Sequence, residues 1–320
     1  MNHRSLHLVL AASLVSFAFA FAFGAPIAQA APPPCSVKDV QSTILFSSVQ
    51  AAQDAANPGD KLVVKGTCIE NISFDRNLLV AGKNASGFGL PTLNGNSTGT
   101  TVTVNAGVVL TIQGLTITGG SGTIASPFGF TDNYGGGVFN DGSLTLKSVV
   151  VSGNSSNNGG GIFNDGGTLT LSNSSVKNNT SGYTGGGIGS YPTAGNITLN
   201  HSSVSNNTAF YGAGMILWGG TVSLKYSSVS NNSGTYGGGA YVGDATNLTL
   251  NGSTVSGNGA SLGAGLFFDT STLTMKNGST ISGNTASSDG GGIWDNGANT
   301  FNAVIVGTNV FGNNPDDFAP

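Results

Sequence analysis

The sequence predicts an all-β protein, a single-stranded right-handed parallel β-helix (a solenoid of about ten coils) with a short N-terminal capping helix. Three observations predict it. A glycine-rich triplet followed by an apolar residue returns at Gly135, Gly159, Gly185, Gly212, Gly237, Gly263 and Gly290, in steps of 24, 26, 27, 25, 26 and 27 residues. Inside each step lie two further phrases: an alternating LTL, first at Leu144 and last as LTM at Leu273, and a V-x-x-N, first at Val151 and last at Val310. Apolar residues alternate with period two, in segments only three to five residues long between turns rich in Gly, Asn and Ser, which excludes helical repeats with their 3.6-residue period.

Three strands in a unit of this length make one coil. Coils stack roughly 4.8 Å apart, so each strand pairs with its counterpart one coil away and inward residues form columns along the axis. Val138, Ile162, Ile188, Met215, Ala240, Leu266 and Ile293 are expected to form one such column, and the paired aliphatics of the LTL phrase two more.

The Asn closing the third phrase recurs at Asn154, Asn179, Asn207, Asn232, Asn258, Asn284 and Asn313. Asn tolerates left-handed backbone geometry, and its amide can bond to its own copy on the next coil. A structural ladder at a tight corner is therefore expected.

Upstream, Ser48 begins a stretch that places Val49, Ala52 and Ala56 on one helical face and stops at Pro58. A helix there would plug the open end of the first coil, whose strand edges need covering. The expected organisation is a signal peptide over 1–30, an N-terminal cap with irregular first coils over 31–120, a loop insertion over 121–134, and regular repeats over 135–320.

The first thirty residues combine Arg4, an apolar run from Leu6 to Phe23, and the small residues of Ala28-Gln29-Ala30, the pattern of a cleaved export signal. No second long apolar run follows, so no transmembrane segment is expected after its removal. Charged residues are 8% of the chain against a usual ~25%, and the net charge of −4 offers no handle for nucleic acid. Export leaves two cysteines, Cys35 and Cys68, in an oxidising compartment, where a disulfide pinning the N-terminal end is the natural reading and two buried thiols the other.

The triplet-plus-aliphatic phrase paired with [VI]-x-x-N resembles the repeats of the polymorphic outer membrane proteins of chlamydiae, and SVQAAQDAANPGDKLVVKGT resembles the opening of pectate-lyase-like β-helix proteins. The first resemblance implies a cell-surface or outer-membrane-associated adhesin. The second implies enzymes that cleave acidic polysaccharides with an Arg or Lys base beside calcium-binding acids, or with clustered aspartates and GHG and RIK motifs. This chain offers one arginine after residue 30, Arg76, and one histidine, His201, in a turn. Asp141 and Asp165 occupy the same place in adjacent coils, yet both precede glycine, the signature of a turn. No catalytic residue, cofactor or metal site is assigned.

One place beyond the inward aliphatics, alternation sends Phe139, Phe163, Gly189, Ile216, Tyr241, Phe267 and Trp294 outward. A row of rings in register is either covered by neighbouring loops or used, and stacking on sugar faces is the obvious use. The insertion before the first regular coil adds Phe128, Phe130 and Tyr134 as ligand candidates. Thr145, Thr170, Thr198, Ser223, Thr249 and Thr274 form a third outward column, a hydroxyl ladder of the kind ice-binding solenoids carry, roughened by Lys147, Lys225 and Lys276. The expectation is a secreted or cell-surface non-enzymatic β-helix, an adhesin or carbohydrate-binding scaffold for polysaccharide or cell-surface glycan. A divergent polysaccharide lyase or hydrolase, and a structural surface-coat or ice-binding solenoid, are the alternatives.

Overall fold

The computed structural model describes residues 33–84, 89–124, 132–191, 195–302, 304 and 309–320. Contacts divide the chain into Met1–Ala31 and Pro32–Pro320, and every described residue belongs to the second unit. The expected signal peptide, and Phe128 and Phe130, lie outside the described residues.

Three long sheets wind around one core. The LTL phrases form ten parallel strands, from Lys61–Lys65 to Thr300–Asn302, and the V-x-x-N phrases another ten, from Thr67–Ile69 to Val310–Phe311. The strands after the glycine triplets make the third set of ten, from Ile72–Phe74 to Phe318–Ala319. Ten strands leave nine intervals, so the solenoid makes about nine turns, one fewer than the repeats suggest. A fourth, short strand precedes the triplet in several coils, as at Ser155–Asn158, Thr180–Thr184 and Thr285–Asp289. Serine, asparagine and glycine dominate these segments, which is why the sequence shows three strands per coil.

Register follows the repeat. Val138 pairs with Ile162, Ile162 with Ile188, Ile188 with Met215, Met215 with Ala240, Ala240 with Leu266 and Leu266 with Ile293, and none of these is more than 2% exposed. The LTL aliphatics are buried likewise, while the threonines between them stay partly exposed and in register. Lys147, Lys225 and Lys276 are exposed two places on.

Each ladder asparagine donates its backbone N–H and its side-chain amide to Oδ1 of the next, at 2.9–3.1 Å from Asn154 to Asn313. The same amide also bonds a backbone carbonyl, as Asn207 does to Val176 at 3.1 Å. Left-handed geometry falls one place earlier than the sequence suggests, at Gly153, Asn178, Asn206, Asn231, Gly257, Gly283 and Gly312. Corner and ladder are thus divided between neighbouring residues. A second ladder runs at another corner, where the N–H groups of Ser174, Ser202, Ser227 and Ser253 each donate to the hydroxyl oxygen of the serine one coil on, at 3.0–3.1 Å. Both ladders satisfy buried polar groups that the sheets leave unpaired.

The N-terminal edge is closed in two ways. Ser36–Asp39 pairs antiparallel with Lys61–Lys65, and Leu45–Phe46 pairs antiparallel with Ser36–Asp39 in turn. The helix Val49–Ala55 buries Val49 and Ala52 against the first coil. Its start is fixed by Ser48, whose Oγ accepts from the Ala51 N–H, and by the Glu70 carboxylate, which takes the N–H groups of Val49 (2.7 Å) and Gln50 (3.0 Å). At its other end Arg76 donates to the carbonyls of Asp54 (3.0 Å) and Ala56 (2.8 Å). A disulfide joins Cys35 to Cys68 across this edge.

Candidate functional site

The glycine triplets shape a tight corner. Their first glycine is left-handed in every regular coil, with φ of 57–65°. A Cβ on Gly159 would lie 2.7 Å from the Cβ of Phe163, and one on Gly290 2.5 Å from that of Trp294. The chain therefore turns back so tightly that a ring just before one triplet faces the ring four past the first glycine of the next coil. Tyr211 meets Tyr241 at 5.9 Å and Tyr236 meets Phe267 at 5.9 Å, both pairs at 89°, edges of one wall against faces of the other.

Along one wall the outward residues pair in register, Phe139 with Phe163, Tyr241 with Phe267, and Phe267 with Trp294. Their rings stack with centroids 5.8, 4.6 and 4.4 Å apart. The column lacks rings at Gly189 and Ile216, and Tyr191 and Trp218 fill the gap from two places further along the same outward face. Tyr191 packs at 5.0 Å on Phe163 and stacks at 5.1 Å on Trp218. Trp218 and Tyr241 then flank Gly243, where a Cβ would lie 3.1 Å from Trp218 Cδ1 and 3.2 Å from Tyr241 Cε1. Rings thus form two runs, Phe139 to Trp218 and Tyr241 to Trp294, that meet on either side of Gly243.

Not all of them face solvent. Phe163 is fully buried, Tyr134 is 1% exposed and Phe267 6%, so these three ligand candidates cannot meet a sugar face. Among the described residues the cover comes from the opposite wall: Tyr134 lies 4.9 Å from Phe163, and Tyr236 packs on Phe267. Phe139, Tyr191, Trp218, Tyr241 and Trp294 are half-buried, with a ring edge or face in the groove. On the facing wall Tyr211 and Tyr236 stack at 5.1 Å, and the exposed Phe210 and Tyr183 extend that wall outward.

Tyr191, Trp218, Tyr211 and Tyr236 escaped the sequence reading. Two signals mark them. Tyrosine stands immediately before the triplet at positions 134, 211 and 236, and Tyr191 and Trp218 fall six residues past a first glycine, as Asp141, Asp165 and Asp269 do.

The groove is polar and negative at its margin. Tyr241 donates its hydroxyl to Asp269 at 3.2 Å, and burial, reinforced by that carboxylate, pushes the phenol above its ordinary range. Burial above all raises Tyr191 as well. Asp165 is pushed up by burial and then by the Asp141 charge beside it. Under the rings Asn158 accepts the Thr184 hydroxyl at 2.7 Å through Oδ1, and its Nδ2 is the buried side-chain polar atom left without a partner among the described residues.

Other chemistry-bearing residues lie away from the groove. His201 is exposed, stacks on Tyr226 at 5.2 Å and contacts Asn200 Oδ1 through Nδ1 at 2.9 Å. Arg76 is held on the helix end. Cys35, Cys68 and Glu70 bring ligand-type atoms within 4.8 Å of one another, but the sulfurs form the disulfide and the carboxylate holds the helix start, so no thiolate is available to a metal.

Among curated proteins and among solved structures, none matches this chain. Residues 137–314 match the family model described as a right handed beta helix region, which reaches the fold and not the finer likeness to the chlamydial repeats. That match spans more than half of the 320 residues, and the chain belongs to the right-handed β-helix family.

Proposed function

We propose that this chain is an exported, non-catalytic β-helix that holds a glycan in the aromatic groove, free or at the cell surface. The observation that carries the proposal is the two runs of rings, Phe139 to Trp218 and Tyr241 to Trp294, that flank Gly243 along one corner of the solenoid. Half-buried rings fixed by stacking on buried ones form a preorganised platform, and sugar faces present apolar C–H surfaces to such rings at little entropic cost. The disulfide Cys35–Cys68 supports the export reading, since such bridges persist in oxidising compartments.

Binding without cleavage is supported by the occupation of the groups an enzyme of this fold would need. Arg76 is committed to the helix end, and His201 has a tyrosine and an asparagine for neighbours. A second reading, hydrolysis, rests on Asp165, a carboxyl raised by burial beside another carboxylate, as a general acid requires.

The test is a glycan array probed with the wild-type protein and with Trp294→Ala and Tyr241→Ala. Each substitution is expected to weaken binding about tenfold or more, as loss of a stacked ring does. Binding indifferent to both rings would refute the groove, and reducing ends released from a bound polymer would establish the hydrolytic reading instead.

A further inference from the structure

The two signs of charge are segregated on this solenoid. From residue 132 onward the chain carries nine aspartates and four lysines. Asp141, Asp165 and Asp269 stand in the same outward column as Tyr191 and Trp218, and Asp289 occupies the facing position just before Gly290. Lys147, Lys225 and Lys276 end strands of the threonine-bearing sheet, and Lys177 lies in the sheet of V-x-x-N phrases, so no lysine borders the groove. The carboxylates act on the rings between them: Asp269 accepts from Tyr241, and Asp165 contributes negative charge at Tyr134.

A polymer of uronic acids would meet charge of its own sign along this groove, which disfavours it. A protonated amine gains twice, from the face of a ring and from a carboxylate at its edge.

We infer that the groove takes an amino-sugar polymer carrying free amines and rejects polyuronates. This rests on the glycan-binding reading and adds the substrate class to it.

Calorimetric titration of the full chain with oligomers of glucosamine, of neutral glucose and of galacturonate, the last with and without calcium, tests the inference. The glucosamine oligomer is expected to bind about tenfold tighter than the neutral one, with galacturonate weakest. The isosteric pair Asp141→Asn with Asp269→Asn should erase that preference, while Trp294→Ala should weaken binding of both oligomers. Galacturonate binding as tightly as glucosamine, a preference that survives the Asp→Asn pair, or a lysine-rich peptide binding as tightly as the amino sugar would overturn the inference and leave the groove as a site. If none of the three oligomers binds, the glycan-binding reading itself fails.

Discussion

Asn313 donates both its backbone N–H (2.9 Å) and its side-chain amide (2.8 Å) to one oxygen, Oδ1 of Asp317. A carboxylate thus closes the column of carboxamides that starts at Asn154. Every rung points its donors towards the C-terminal end, so the last rung would otherwise present two unpaired N–H groups. A charged acceptor is the strongest partner for such a pair.

Asp317→Ala is expected to loosen the last coil alone, at a cost of about 1–3 kcal/mol, because two donors lose their acceptor. Amide hydrogen exchange should quicken at Asn313 and Asn284 and stay unchanged at Asn179. Asn207→Ala breaks the column in the middle, where it strips the acceptor from Asn179 and the donor from Val176, and should cost about 3 kcal/mol. If Asn207→Ala costs less than Asp317→Ala, the ladder is not the coupling element between coils.

Burial raises Asp316, and its hydrogen bond to Asp289 adds to the shift. A group whose folded value is raised contributes stability that is fully present below its unfolded value, roughly 3.9, and lost as pH rises through the folded one. The melting temperature of Asp316→Asn, which cannot ionise, should therefore match the wild type near pH 3 and exceed it increasingly towards pH 7. A pH-independent difference would contradict this.

How much of this was legible beforehand depends on the kind of signal. The inward columns and the asparagine ladder could be read because each coil repeats them at one offset, and repetition fixes register. The groove could be read only in part. Phe163 and Trp294 share an offset but not an exposure, since Tyr134 covers the first while Trp294 stays half-buried. Tyr191 and Trp218 supply rings where the column has Gly189 and Ile216, and Gly243 leaves room beside Trp218, a relation between different offsets in different coils. The serine ladder stayed hidden because serine also abounds in ordinary turns.

That difference between rings is measurable. Phe163→Ala removes a fully buried ring and should cost about 3–5 kcal/mol of stability. Trp294→Ala should cost clearly less in denaturant unfolding while removing a groove-facing ring. Equal losses would mean that Trp294 belongs to the core.

The disulfide closes a loop between residues 33 apart and should contribute about 3–4 kcal/mol by restricting the unfolded chain. Cys35→Ser with Cys68→Ser is expected to lower the midpoint of unfolding and to speed hydrogen exchange first in Lys61–Lys65 and Ser36–Asp39. Unchanged exchange there would place the loss elsewhere.

The chain's two tryptophans, Trp218 and Trp294, both stand in the ring path, so the protein carries its own reporters of the groove. Trp218→Phe and Trp294→Phe leave one reporter each, and emission can be followed while a glucosamine oligomer is titrated in. A saturable change from both reporters, with one dissociation constant matching calorimetry, is the predicted result. An oligomer that binds by calorimetry while both tryptophans stay silent would contradict the account, because the occupied surface would then lie away from the rings.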